Sequence, residues 1–255
     1  EKLAPALLAG VPAIVKPATA TAYLTELAFR RIIESAILPE GAVQLICGSV
    51  GDLFDHLTCQ DVVAFTGSAS TARKLRMHPA VIDHSVRFTA ETDSLNSCVL
   101  GPDATPGTPE FDLFVREVAR EMTVKAGQKC TAIRKAIVPA GSAADVVDAL
   151  KAALGKIVLG NPRREQVRMG PVASLAQRRE VLGQLAKLER EAEVVCGGGG
   201  GGRGGLELAD ADADRGAFIA PTLLFCRESA RAAAIHEIEA FGPVCTVVPY
   251  EGMDS

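Results

Sequence analysis

Ala13-Ile14-Val15-Lys16-Pro17-Ala18-Thr19-Ala20-Thr21 opens the stretch that decides the fold. Its first three residues are a short apolar run, stopped by Lys16 and Pro17, which predicts a strand. Thr21 to Ile37 follows with Leu24, Leu27, Ala28 and Ile32 on one side, the spacing of an amphipathic helix. Pro39-Glu40-Gly41 breaks that helix, and Val43 to Cys47 reads as a second strand. Leu53 to Leu57 is a short helix and Asp61 to Phe65 a third strand. Thr66-Gly67-Ser68 then turns into a helix over about Ser70 to Met77, and Arg87 to Ala90 is a further strand. Strand and helix alternating in this way predict βαβ units and a mainly parallel sheet. Such sheets gather ligands at the carboxyl ends of their strands.

A boundary falls between residues 92 and 110, where Gly101-Pro102-Asp103 and Pro106-Gly107-Thr108-Pro109 interrupt the pattern. Thr108 is a predicted N-cap with Pro109 at the first helical position. The helix it opens carries Phe111, Phe114, Val115, Val118 and Met122 as one apolar stripe and stops at Ala126-Gly127. Beyond it come a strand at Ala136 to Val138, helices at Ala143 to Leu154 and Leu175 to Ala192, and strands at Glu193 to Cys196 and Val244 to Pro249. Both regions are therefore expected to be α/β. The glycine tract from Gly197 to Gly205 satisfies a dinucleotide fingerprint only trivially. No helix is predicted after it to receive a pyrophosphate, so it reads as a surface loop. Leu3 to Ala9 reads as the last turns of a helix, and the chain stops just after a strand. An internal fragment of a longer chain is the expectation.

The chain has 255 residues, 48% hydrophobic and 23% charged, enough to bury substantial cores. A formal net charge of -4 with scattered basic residues gives no global field to attract nucleic acid or anionic lipid. No apolar run is long enough to span a bilayer. The seven cysteines form no CxxC and no Cys/His cluster, so no metal site is expected. An odd number of cysteines argues against a closed disulfide framework and for a reducing, cytoplasmic setting.

Cys130 stands apart in Lys125-Ala126-Gly127-Gln128-Lys129-Cys130-Thr131-Ala132. It follows a helix and a glycine. It is therefore expected on a turn whose free backbone N–H groups, with Lys129, can stabilise a thiolate or an oxyanion. On that ground alone the reading as a buried structural cysteine outweighs the nucleophile. Glu91 is equally a charge closing the Arg87 to Ala90 strand.

The motifs resolve the choice. Gly127-Gln128-Lys129-Cys130-Thr131 resembles the nucleophile motif of the aldehyde dehydrogenases. Phe65-Thr66-Gly67-Ser68 resembles their cofactor turn, Val15-Lys16-Pro17 their cofactor lysine motif, and Glu239-Ala240-Phe241-Gly242-Pro243-Val244 their nicotinamide-ribose stretch. The four fall in the family's order over essentially the whole chain. More narrowly, Lys16 to Thr21, Ala90 to Asn96 and Arg120 to Arg134 resemble two groups. One is the aldehyde dehydrogenase part of the phenylacetate-degradation ring-opening proteins. The other, nearly as close, is the semialdehyde dehydrogenase of aerobic benzoyl-CoA degradation.

The resemblance implies a Rossmann-like cofactor region over residues 1–92 and an α/β catalytic region over residues 93–255. It implies Cys130 as nucleophile and Glu91 as the base that activates water. Lys16 and Thr19 would meet the adenosine ribose, Ser68 the pyrophosphate, Glu239 the nicotinamide ribose, and Phe241 would pack beside the nicotinamide. The implied substrate is a semialdehyde joined to coenzyme A: the 3-oxo-5,6-dehydrosuberyl thioester of phenylacetate degradation or, alternatively, the 3,4-dehydroadipyl thioester. A CoA-acylating enzyme is disfavoured because Glu91 supplies a base for water. A noncatalytic binding relative is disfavoured because Cys130, Glu91, Lys16 and Glu239 are all present. An oxyanion-hole asparagine is implied upstream of Glu1, and a homo-oligomer is implied for the full-length protein.

Two departures carry consequences. Glu91 is followed by Thr92-Asp93-Ser94, where the family pattern has a leucine and two glycines, so a different local loop is expected. Thr19 stands where NAD-preferring relatives carry a glutamate. A carboxylate there repels a 2′-phosphate and threonine does not, so NADP is the expected cofactor, with NAD possible.

Overall fold

The computed structural model describes residues 2–198 and 207–252. Most of the glycine tract read as a surface loop therefore lies outside the described residues. The chain divides into two compact units, Glu1–Asp93 and Ser94–Ser255.

Unit 1 begins with α1 (Leu3–Leu8), β1 (Ala13–Val15), α2 (Ala22–Glu34) and β2 (Val43–Leu45). It continues through β3 (Val62–Thr66), α3 (Ala69–Arg76), α4 (Pro79–Asp83) and β4 (Arg87–Glu91). All its strand pairs are parallel, but they form two separate two-stranded ladders, β1 with β2 and β3 with β4, rather than one sheet. The helix expected to reach Ile37 ends at Glu34, because Ala36 adopts a left-handed backbone (φ 51°) without a glycine to signal it. The short helix at Leu53–His56 is a 3₁₀ turn. Unit 1 buries few apolar side chains, Phe29, Val81 and Val86 among them. Leu24, Leu27 and Ile33 of α2, Ile14 of β1 and Val62 of β3 are exposed.

Unit 2 contains β5 (Ser97–Val99), α5 (Pro109–Thr123), β6 (Lys135–Pro139), α6 (Ala143–Leu154), β7 (Leu159–Gly160) and α7 (Leu175–Leu188). After these come β8 (Glu193–Cys196), β9 (Leu208–Ala209), β10 (Thr222–Phe225), α8 (Ala234–Glu237) and β11 (Val244–Tyr250). Its sheet runs β5-β6-β11-β10-β8, parallel except for β8 at one edge. Thr108 caps α5, its hydroxyl accepting from Phe111 N, with Pro109 at the first position as expected. Phe111, Phe114, Val118 and Met122 then pack with Val146 and Leu150 of α6 on Ala136, Val138, Leu223 and Val247. Val181, Leu185 and Leu188 of α7 pack in a second cluster with Leu224, Val244 and Val248. A sheet covered on both faces explains why β10 and β11 are almost continuously buried. The helix expected to run to Ala192 ends at Leu188.

Candidate active site

In unit 1 the predicted cofactor residues stand at the carboxyl ends of parallel strands. Lys16 directly follows β1, and its Nζ lies 3.4 Å from Thr19 Oγ1, with both residues exposed. Ser68 caps α3, its hydroxyl accepting from Thr71 N at 3.3 Å. Glu91 ends β4 opposite Thr66 of β3, and its carbonyl accepts from Gly67 N at 3.1 Å. The turn at Ser68 and the exposed Glu91 are thus fixed to one another through backbone. The glycine-free segment after Glu91 has its own anchorage, since Asp93 Oδ1 accepts from Ala69 N, the first amide of α3, at 2.9 Å. Lys2, not singled out by the sequence, donates to the carbonyl of Phe65 at 2.8 Å and reaches the Thr66 hydroxyl.

In unit 2 the chain leaves α5 through three successive left-handed residues, Lys125 (φ 54°), Ala126 (φ 52°) and Gly127 (φ 68°). Only the last is a glycine, so the turn stores strain that its surroundings must hold. Ala126 is buried in the α7 cluster. Gln128 Oε1 accepts from Ala173 N at 3.0 Å. Lys129 Nζ is bound to both carboxylate oxygens of Glu121 at 2.6 and 2.7 Å. That pairing corrects the expectation that Lys129 stabilises a thiolate: its charge is already neutralised by α5. Cys130 itself is exposed. Its carbonyl accepts from Ser94 Oγ at 2.7 Å and from Asn96 Nδ2 at 2.6 Å, and Asn96 Nδ2 also donates to the Ala132 carbonyl at 3.1 Å. Among the described residues the Cys130 amide has no acceptor, as an oxyanion donor requires.

Glu239 is placed differently from an open ribose ligand. Its side chain is only 8% exposed, with Oε2 accepting from Ser94 N at 3.0 Å and Oε1 from Arg134 at 3.3 Å. Phe241 lies under the Arg134 guanidinium, 5.5 Å from its ring centroid. Sequence reasoning assigned no role to Arg134, Ser94, Asn96 or Glu121. Their residue types sit in the recognised stretches, but nothing local marks them as partners.

The residues of unit 1 fit a dinucleotide cofactor. An exposed ammonium beside a hydroxyl suits a ribose hydroxyl or 2′-phosphate, and a serine at a helix N-terminus suits a pyrophosphate. Glu239 retains lone pairs beyond its three bonds. Among the described residues there is no His/Cys/Asp/Glu group able to hold a metal and no helix long and apolar enough to cross a membrane.

These features are those of an aldehyde dehydrogenase, and comparison with known proteins places the chain there. Residues 1–255 match the model of the aldehyde dehydrogenase family, and the chain belongs to that family. It is 53% identical over 250 residues to 3,4-dehydroadipyl-CoA semialdehyde dehydrogenase of Aromatoleum evansii, covering 98% of this chain and 48% of that protein. It is 31% identical to geranial dehydrogenase of Castellaniella defragrans, covering 99% of this chain and 49% of that one. Among solved structures it resembles aldehyde dehydrogenase C from Pseudomonas syringae, a mutant complexed with NAD+ and octanal (TM-score 0.84, 28% identity, 99% of this chain and 49% of that chain). It also resembles a Mycobacterium tuberculosis aldehyde dehydrogenase complexed with NAD+ (TM-score 0.82, 28% identity, 99% and 49% covered). The chain spans about half the length of the curated relatives it matches.

The setting of the thiols yields a labelling prediction. Cys47, Cys59 and Cys130 are exposed, whereas burial raises the thiols of Cys98, Cys196 and Cys226, and pushes Cys245 up to about 12. In the folded intact protein at neutral pH, iodoacetamide is expected to modify Cys130 first. Cys47 and Cys59 come next, and Cys245 stays unmodified. Peptide mass mapping over time checks the order, and faster labelling of Cys47 or Cys59 than of Cys130 contradicts it.

Proposed function

We propose that the protein carrying this chain oxidises a CoA-linked semialdehyde to the carboxylic acid. The observation that carries the reading is the strained turn presenting an exposed Cys130 with its amide free and its carbonyl held by two side chains. The Cys130 thiolate adds to the aldehyde carbon to give a thiohemiacetal, and its amide donates to the oxygen as negative charge develops there. The bound nicotinamide supplies the hydride acceptor that leaves a thioester on Cys130. Glu91 takes a proton from water, the resulting oxygen attacks the thioester, and the acid departs with Cys130 restored as thiolate. Lys16, Thr19 and Ser68 bind the cofactor, Glu239 accepts from the nicotinamide ribose, and Phe241 packs beside the ring. In this reading residues 1–92 serve the cofactor and residues 93–255 the chemistry. The intact enzyme is a cytoplasmic homo-oligomer.

The similarity to the Aromatoleum evansii protein supports 3,4-dehydroadipyl-CoA semialdehyde as substrate. The phenylacetate-derived 3-oxo-5,6-dehydrosuberyl-CoA semialdehyde is the second reading, supported by the stretches at Lys16 to Thr21, Ala90 to Asn96 and Arg120 to Arg134. For the cofactor we infer NADP, because Thr19 adds no charge beside Lys16 where a 2′-phosphate brings about two. Assaying the intact enzyme with each semialdehyde and each cofactor tests all of this. The free acid is the expected product, with kcat/KM for NADP about ten- to a hundredfold above NAD, equivalent to about 1.4 to 2.8 kcal/mol. Thr19→Glu is expected to weaken NADP use far more than NAD use. An acyl-CoA exchange product would refute the hydrolytic reading, and equal or better use of NAD would refute the cofactor assignment.

A further inference from the structure

Arg134 is the most buried charged residue among the described residues, at 5% exposure. A buried guanidinium costs several kcal/mol of desolvation unless its donors are met. Burial pulls its proton affinity down, and Glu239 partly restores it. Its donors reach two loops. Nη2 binds the carbonyls of Gly127 at 2.8 Å and Lys129 at 3.4 Å, in the turn that carries Cys130. Nη1 binds the carbonyl of Gly242 at 2.7 Å, and Nε and Nη2 meet Glu239 Oε1 at 3.3 Å. Its plane lies over Phe241. Its own backbone is fixed, with its amide donating to the Asn96 carbonyl and its carbonyl accepting from Thr246 N, both at 2.9 Å. Ser94 closes the circuit by binding Glu239 through its amide and the Cys130 carbonyl through its hydroxyl.

We propose that Arg134 is a positioning residue that locks the left-handed turn bearing Cys130 to the Glu239–Gly242 loop, so that a change at Glu239 is felt at the nucleophile. This rests on the assignment of Cys130 as nucleophile. A core charge serving stability alone would find partners anywhere, whereas these partners are carbonyls of the turn leading into Cys130 and the loop proposed to hold the nicotinamide ribose. The planar fork is what permits it, since one ammonium cannot span three carbonyls and a carboxylate. When the fork is lost, the strained turn relaxes and Cys130 loses its fixed amide environment.

The test is the rate of iodoacetamide alkylation at Cys130, with exposed Cys47 and Cys59 as internal references. It compares intact wild type, Arg134→Lys, Glu239→Gln and the double variant, each checked for a cooperative melt. Arg134→Lys is expected to slow Cys130 by about fivefold or more while the reference thiols hold their rates. Glu239→Gln should slow it as well, and the double variant should be no slower than Arg134→Lys alone. An unchanged ratio of Cys130 to Cys47 in Arg134→Lys overturns the proposal, and so do independent, multiplying effects in the double variant. If Arg134→Lys does not melt cooperatively, an unchanged ratio in Glu239→Gln overturns it instead. Cys130→Ala separates the two layers. Residual aldehyde oxidation in that variant refutes the nucleophile itself. A dead Cys130→Ala beside a normally reactive Arg134→Lys refutes only the lock.

Discussion

Cys130→Ala is expected to lower aldehyde oxidation by about 10⁴-fold or more, to the assay background, without unfolding the protein. The residue is exposed and leaves no core cavity when truncated. Its carbonyl bonds to Ser94 and Asn96 are backbone bonds that alanine keeps. The loss is therefore one of chemistry, because the covalent step has no substitute nucleophile in the turn: Thr131 and Ser94 are poorly ionised alcohols. Glu91→Gln separates the two half-reactions. With water no longer deprotonated, thioester hydrolysis slows, whereas addition and hydride loss do not need that carboxylate. Stopped-flow measurement should show a burst of reduced cofactor near one per site followed by a slow steady state. A vanished burst would mean that Glu91 acts before the thioester forms. Full steady-state turnover would mean that it is not the base.

Gly127→Ala carries the largest expected structural effect. Gly127 has φ 68°, where an L side chain costs about 1–2 kcal/mol. An added Cβ would also overlap the Gly242 carbonyl and approach Pro243 Cα to 2.9 Å. Those neighbours are backbone and cannot swing aside. The turn and the Glu239–Gly242 loop must then separate, breaking the Arg134 bonds to both. A loss of about 3 kcal/mol or more is expected by denaturant titration, with kcat down by about tenfold or more in what remains folded. A wild-type midpoint together with wild-type kcat would show that the two loops do not need this close approach.

Much of this architecture was legible from local signals. Thr108-Pro109 marked the start of α5, and of its apolar stripe Phe111, Phe114, Val118 and Met122 are buried while Val115 is half-buried. The bounds of α6 and β1 follow from periodicity and flanking breakers. What escaped has physical reasons. β5 lies inside a turn-rich boundary, and β10 is buried on both faces and shows no alternation. The end of α2 is made by left-handed Ala36 with no glycine to announce it, and α5 ends at Thr123, short of the stop signalled by Gly127, because Val124 is extended and Lys125 and Ala126 are left-handed. At the site, Cys130 and Glu91 came from motif order rather than from chemistry visible in one residue. The web around Arg134 was invisible because it joins positions 94, 127, 134, 239 and 242. Those positions meet only once the sheet has brought β6 and β11 side by side. The replaced glycines after Glu91 also acquired their meaning in three dimensions, as Asp93 on α3 and Ser94 on Cys130 and Glu239.

The paired strands of unit 1 bear on how this polypeptide behaves in a test tube. A ladder of two strands has an outer edge on each side, with backbone donors and acceptors turned outward. Ile14 and Val62 on those strands are exposed, and so are Leu24, Leu27 and Ile33 of α2. Sticky edges next to oily side chains are templates on which a second molecule can add its own strand. For this stretch of chain produced by itself, solubility is then governed by a race. Self-association grows with concentration, while the collapse of unit 2 around its two apolar clusters does not. Dilution and speed of folding, more than the depth of the folded minimum, set the yield.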